Sequence, residues 1–310
     1  MTEAQRVSML MPPKGVIHAV IDTDPYNEVD DQFTIAYLAG RADCISLDAV
    51  YAAPFLNEKV SSPKGGMERS FEEAERVLSF LPPVPERRVL RGADRFMAED
   101  KSPVCSEATE DLIQRARLHS SADPLYIIGI AAATDIASAI LLAPDIIEQI
   151  VVIWLGGSAL HRSGELEFNM MEDQIAAQIL FDSGVPLVQV PCWGLAEHFT
   201  ISQAELNAYL VGKNPLADYL AKTVIEEVES YTVVPRWSKT IWDVVAAAWL
   251  TDQARRMTRS HLIPAPIPQA DGSYAFANGR HLIRYVDWVE RDLLMNDLFD
   301  VILKEGGKCD

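Results

Sequence analysis

The sequence predicts an α/β fold, an open and mainly parallel twisted sheet flanked by helices, in a single domain over residues 1–310. Three observations predict it. Apolar runs suited to strands buried on both faces recur along the chain, amphipathic segments of helix length separate most of them, and no Ser/Gly-rich linker, long charge block or repeat divides the chain.

The first strand is expected at Val16–Ile21 and leads into Asp22-Thr23-Asp24-Pro25-Tyr26-Asn27-Glu28-Val29-Asp30-Asp31. Asp22, Asp24, Glu28, Asp30 and Asp31 repel one another unless a cation, protons or hydrogen-bond donors compensate. A cluster of oxygen ligands suits a hard cation, and the end of a strand is where open α/β sheets place ligands. The plainer alternative is a solvated acidic loop or a helix cap, for which one or two Asp residues suffice.

Helices are expected at Gln32–Leu38, Phe71–Leu81, Glu107–Leu118, Asp135–Leu142 and Gln174–Phe181, where apolar residues recur every three or four positions. Further strands are expected at Ile45–Ala52, Leu125–Ile130, Ile150–Leu155 and Leu187–Val190. Pro54–Ser70 and His261–Arg280 read as irregular, and long loops of this kind often cover or line binding sites.

Three strand or helix ends carry further chemistry. Leu125–Ile130 runs into Ala131-Ala132-Ala133-Thr134-Asp135, where small residues let a ligand reach the backbone, Thr134 or Asp135 caps the next helix, and a free carbonyl is available to calcium. Ile150–Leu155 ends in Gly156-Gly157, by itself a tight turn. Glu167-Phe168-Asn169 follows, with an acceptor and an amide suited to vicinal sugar hydroxyls. In Ile241-Trp242-Asp243-Val244 an acid begins an apolar helix, either as a cap or as a cation ligand.

The composition excludes other classes. A formal net charge of −18 and a pI near 4.7 argue against nucleic-acid binding and against an anionic membrane surface. Cys44, Cys105, Cys192 and Cys309 form no Cys-x-x-Cys pair, so a reduced, cytoplasmic protein is expected. Neither a secretory signal pattern nor an apolar run of the ~18 residues needed for a membrane span is found.

Taken together, the segments from Val16 to Leu250 resemble the inosine-uridine-preferring nucleoside hydrolase family. That family opens with Asp-x-Asp-Pro-Gly-x-Asp-Asp; here Asp22-Thr23-Asp24-Pro25 and Asp30-Asp31 match, with the intervening loop two residues longer. Ala131 to Ala137 corresponds to its Gly-x-x-Thr-Asn-x-Ala with Asp135 for Asn, Glu167-Phe168-Asn169 is intact, and Asp243 matches its last metal-binding Asp.

The resemblance implies a calcium-dependent hydrolase that cleaves the N-glycosidic bond of a ribonucleoside into free base and ribose. Calcium would be held by Asp24, Asp31, Asp243 and the Ile130 carbonyl, with waters and the 2′ and 3′ hydroxyls. Asp30, Glu167 and Asn169 would hold the ribose, Asn57 would replace a sugar-binding Asn, and Asp24 would take a proton from a calcium-bound water. The transition state would resemble an oxocarbenium ion. A small-molecule nucleoside is the expected partner, in a homodimer or homotetramer.

Trp242 departs from the histidine of many purine-cleaving members, and an indole N–H is no general acid near neutral pH. It either stacks on a base or packs in the core, and His161 and His198 are the candidates for the missing acid or for structural roles. Two alternatives stand beside the hydrolase: a nucleoside or sugar sensor without turnover, and a haloacid-dehalogenase-like phosphatase suggested by Asp22-Thr23-Asp24 after a strand.

Overall fold

A computed structural model describes residues 1–305 apart from 86, 99 and 163; Cys309 lies outside the described residues. The first half of the chain forms α1 (Glu3–Met9), β1 (Ile17–Thr23), α2 (Asp31–Gly40), β2 (Ile45–Ala52), α3 (Pro63–Ser79), β3 (Arg88–Arg91), α4 (Glu107–Ala116), β4 (Leu125–Gly129), α5 (Thr134–Leu142) and β5 (Ile150–Leu155). The second half forms α6 (Phe168–Glu172), α7 (Gln174–Asp182), β6 (Leu187–Val190), β7 (Thr200–Ser202), α8 (Gln203–Glu205), α9 (Pro215–Tyr231), β8 (Ser238–Thr240), α10 (Val244–Thr251), β9 (Thr258–Pro264), β10 (Ile267–Pro268), β11 (Tyr274–Ala275), β12 (Leu282–Val289) and α11 (Arg291–Glu305).

Eight strands form one sheet in the order β3-β2-β1-β4-β5-β6-β12-β9. The first seven are mutually parallel and β9 closes the edge antiparallel to β12. Side chains alternate across the sheet: Ile21 belongs to the apolar cluster that includes residues of α2, α9, α10 and α11, whereas Val20 belongs to the one that includes residues of α4, α5 and α7. Strands β4, β5 and β6 are buried at every position, as a sheet covered on both faces requires.

The chain leaves β1 towards β2 and β3 and then returns to its other side as β4, so the order reverses between β1 and β4. Ile21 pairs with Ile128 and Asp22 with Gly129, and the Ile130 N–H donates to the Asp22 carbonyl at 2.9 Å. This register brings Asp24 and Ile130 to the crevice beyond the strand ends.

Two segments expected to be irregular are partly ordered. Residues 63–70 begin α3, whose Ser62 cap accepts the Gly65 N–H at 3.1 Å with Pro63 at the first position. The second segment begins inside β9 and includes the small β10–β11 hairpin.

Adjacent glycines in α3 differ in their surroundings. A Cβ on Gly66 would run into the Phe55 carbonyl and sit 2.9 Å from Phe55 Cδ1, whereas at Gly65 the nearest atom is Ser62 Oγ at 3.4 Å. We expect Gly66→Ala to destabilise by about 1–3 kcal/mol despite the better helix propensity of alanine, and Gly65→Ala to be neutral or stabilising. Equal urea midpoints for the two variants would contradict this.

Candidate active site

A cavity of about 290 Å³ opens over the ends of β1, β4 and β5 and the start of α10, near the lower end of ligand-site volumes. Asp24, Asp30, Asp31 and Asp243 line it, and each is at most 5 % exposed. Carboxylate oxygens of Asp30, Asp31 and Asp243 lie within 4.8 Å of one another.

Asp30 and Asp243 occupy the positions that open α2 and α10, yet neither side chain makes a capping hydrogen bond. Asp30 Oδ2 instead accepts the Asp243 backbone N–H at 3.3 Å. Asp31 Oδ1 accepts the Asp24 N–H at 3.1 Å and the Thr23 hydroxyl. The Asp24 Oδ2 is buried without a hydrogen-bond partner. Helix capping therefore does not explain these acids, and an all-oxygen set with an unpaired buried carboxylate oxygen fits a hard divalent cation.

Electrostatics agree. Burial raises the Asp24 carboxyl well above its ordinary value, and Asp31, Glu172, Asp30 and Asp22 add to the rise. Burial and then Asp30, Asp31 and Asp24 do the same to Asp243. Asp30 is pushed up to about 8 by burial and then by Glu28, and Asp31 to about 6 by burial, against the Thr23 hydrogen bond. Without a compensating cation these groups keep protons at a pH where an ordinary carboxylate has lost them, Asp30 up to about 8 and Asp31 up to about 6.

Asp22, expected in the same cluster, does not line the cavity; it is buried beside Asp135 of α5. Nor does either residue of Thr134-Asp135 cap α5: Asp135 accepts the Ala93 N–H and the Ser106 hydroxyl, and the Thr134 hydroxyl donates to Asp173.

Glu167 takes the cap position of α6 and accepts the N–H groups of Asn169 at 2.8 Å, Gly157 at 2.7 Å and Met170 at 3.1 Å. Gly157 has φ of +72°, and a Cβ there would collide with Tyr274, so the Gly-Gly turn is a close backbone approach fixed by Glu167. Asn169 donates to the Ile130 and Leu155 carbonyls at 3.2 and 3.0 Å, which leaves its Oδ1 for a ligand. We expect Glu167→Gln, which puts an amide NH₂ against backbone donors, to cost about 1–3 kcal/mol of stability and to raise KM. An unchanged melting temperature would count against this.

Asn57 lines the cavity, but its amide donates to Asn27 Oδ1 at 2.8 Å and its Oδ1 accepts the Lys59 N–H, so it also closes the loop. Trp242 both packs on the core and lines the cavity, edge-on to Trp193 with ring centres 5.1 Å apart. His161 departs from expectation: it is exposed on a short turn and does not line the cavity, and neither does His198, whose side chain is 72 % exposed.

Sequence reasoning missed Trp193, Cys192, Lys59 and Glu227 in the lining, and Glu172 beside Asp24. Glu172 accepts the Leu56 N–H at 2.6 Å and keeps one oxygen buried and unpaired; burial pushes it up to about 8.

The chain is similar to known proteins in sequence and in fold. The pyrimidine-specific ribonucleoside hydrolase RihA of Salmonella enteritidis is 24 % identical over 239 residues, 68 % of this chain and 76 % of its own length. Among solved structures, a purine-preferring ribonucleoside hydrolase from Gardnerella vaginalis superposes with a TM-score of 0.75 at 18 % identity, covering 93 % of this chain and 98 % of that one. The type III effector protein XopQ, complexed with adenosine diphosphate ribose, superposes with a TM-score of 0.68 at 18 % identity, covering 98 % and 99 %. The profile of the inosine-uridine preferring nucleoside hydrolases matches residues 19–281, and with that match the chain belongs to this family of hydrolases.

Proposed function

We propose that the chain, acting as a single catalytic domain, hydrolyses the N-glycosidic bond of a ribonucleoside with calcium, and that Asp24 is its base. The observation that carries this reading is the unpaired, buried Asp24 Oδ2 in the same cavity as Asp30, Asp31 and Asp243.

Asp24, Asp31, Asp243 and the Ile130 carbonyl would hold the cation, with Asp30 adjoining them. When bound, calcium acidifies and orients the attacking water and offsets the repulsion among the carboxylates. Asp24 Oδ2 accepts the proton that water gives up as its oxygen joins the anomeric carbon. Asp30, the remaining lone pair of Glu167 Oε1 and Asn169 Oδ1 accept hydrogen bonds from sugar hydroxyls. The negative charge of Asp30 and Glu167 stabilises the positive charge that develops on the ring.

A reducing compartment such as the cytoplasm is the expected setting, since Cys44, Cys105 and Cys192 are free. No helix among the described residues is long and apolar enough to cross a membrane.

The test is incubation with purine and pyrimidine ribonucleosides, with calcium and then with excess chelator, and chromatography of free base and ribose. Calcium-dependent release of both is expected. Binding without release by the folded, calcium-loaded protein would overturn the reading in favour of a sensor.

A further inference from the structure

At the opposite edge of the sheet from the cavity, two imidazoles stand side by side. His18 is the second residue of β1, and His119 sits in the turn between α4 and β4. Their ring centres are 5.4 Å apart, with the planes tilted by 58°. At about 3.3 Å of rise per residue, the six steps along the chain from His18 to Asp24 separate the pair from the cavity by about 20 Å.

Each ring is held by one nitrogen. His18 Nδ1 lies 2.8 Å from Asp48 Oδ2, and His119 Nδ1 lies 3.1 Å from the Asp123 carbonyl. A carboxylate and a carbonyl only accept, so both Nδ1 atoms carry hydrogens, and in the neutral rings both lone pairs lie on Nε2. Asp48 is itself fixed, its Oδ1 accepting the Ser46 hydroxyl at 2.7 Å. Metal-binding histidines are oriented in this way, with one ring N–H on an oxygen and the other nitrogen on the ion. An ordinary surface ion pair accounts for His18 and Asp48, but not for a neighbouring imidazole held in the same tautomer. Nor does packing account for it, since the His18 side chain is 52 % exposed.

The spacing suits one ion. A ring that binds zinc through nitrogen at about 2.0–2.1 Å has its centre about 3 Å from the metal, so two such rings at the tetrahedral angle have centres about 5 Å apart. We propose that His18 and His119 form a second metal site, for a borderline divalent ion such as zinc or copper, with water completing the coordination. Imidazole suits these ions whereas calcium prefers oxygen, so the pair and the carboxylate cavity select different metals. The ion joins the amino end of β1 to the turn that enters β4, the two strands between which the sheet order reverses. Binding sends any proton on Nε2 to solvent and leaves the Nδ1 protons on their oxygen acceptors. The pair lies outside the cavity, so its occupation can be measured whether or not ribonucleosides are cleaved.

The test is titration of the calcium-saturated protein with copper(II), read by electron paramagnetic resonance at one equivalent, and with zinc, read by calorimetry. Two coupled nitrogens are expected on the copper signal, because the carboxylates of the cavity contribute none. Asp48→Asn, which removes the charge behind His18, should weaken zinc binding by about 10-fold, and loss of either ligand should cost more than that. His18→Gln and His119→Gln should each also leave a single coupled nitrogen. Neither histidine is buried, so both variants should melt with the parent in chelator. His161→Gln, outside the pair, should change none of these readings. A copper signal carrying one nitrogen or none, or variants of His18 and His119 that keep two nitrogens and the parent's zinc affinity, would overturn the site.

Discussion

Asp24→Ala should lower kcat by about 10³-fold or more, since on the proposed mechanism it removes both a general base and a cation ligand at once. Its Oδ2 is the buried carboxylate oxygen in the cavity that has no hydrogen-bond partner, while its backbone N–H is fixed by Asp31 Oδ1 at 3.1 Å. The backbone anchor survives the substitution, so the loop keeps its position and the loss falls on chemistry and calcium affinity. In chelator the variant should melt no lower than the parent protein, because a desolvated carboxyl among like charges destabilises the fold when no cation is bound. Steady-state kinetics with calorimetric calcium titration separates the effects. Unchanged turnover would remove Asp24 as the base, and a collapse of the metal-free fold would show that its role is structural.

Much of this site was legible because its chemistry sits at strand ends. The run Ile150–Leu155 is contiguous, apolar and rich in β-branched residues, Ile45–Ala52 and Leu187–Val190 are apolar at most positions, and the three coincide with β5, β2 and β6. Once these strands are parallel, their carboxyl ends gather the residues that follow them, which is why Asp24, Ile130 and Asn169 meet although they are far apart in sequence.

What was not legible has identifiable causes. Leu282–Val289 mixes apolar with charged residues, so β12 does not read as a central strand; its Arg284 is buried by donating to the Leu10 carbonyl, a long-range partner that no local pattern reveals. Asp30 and Asp243 each stand where a capping residue stands, and sequence alone cannot separate cap from ligand; the missing cap hydrogen bonds do. Trp193 and Glu227 lie on segments of ordinary composition and reach the cavity only through tertiary packing. His161 shows the reverse case, close in sequence to the Glu167 turn yet exposed outside the cavity.

Calcium should stabilise the protein strongly at pH 8 and weakly at pH 5. Asp24, Asp30, Asp31 and Asp243 all have folded-state pKa values above the ordinary carboxylate range, with Asp30 near 8 and Asp31 near 6, and burial is the first cause in each case. Between about pH 4, where unfolded Asp titrates, and pH 8, the metal-free folded chain binds more protons than the unfolded one. Its stability must therefore fall as pH rises through that window. Calcium competes with those protons for the same oxygens, so its affinity rises over the same range. At a calcium concentration about 100 times its Kd the cation adds about 2.7 kcal/mol, a gain that protonation erodes toward pH 5. Thermal unfolding with calcium and with chelator at pH 5, 6.5 and 8 measures this directly. The two curves should converge at low pH and separate at high pH, and Asp31→Asn should shrink the separation. A calcium shift independent of pH, or a metal-free protein that gains stability from pH 5 to 8, would mean that the buried carboxylates are not the cation's ligands.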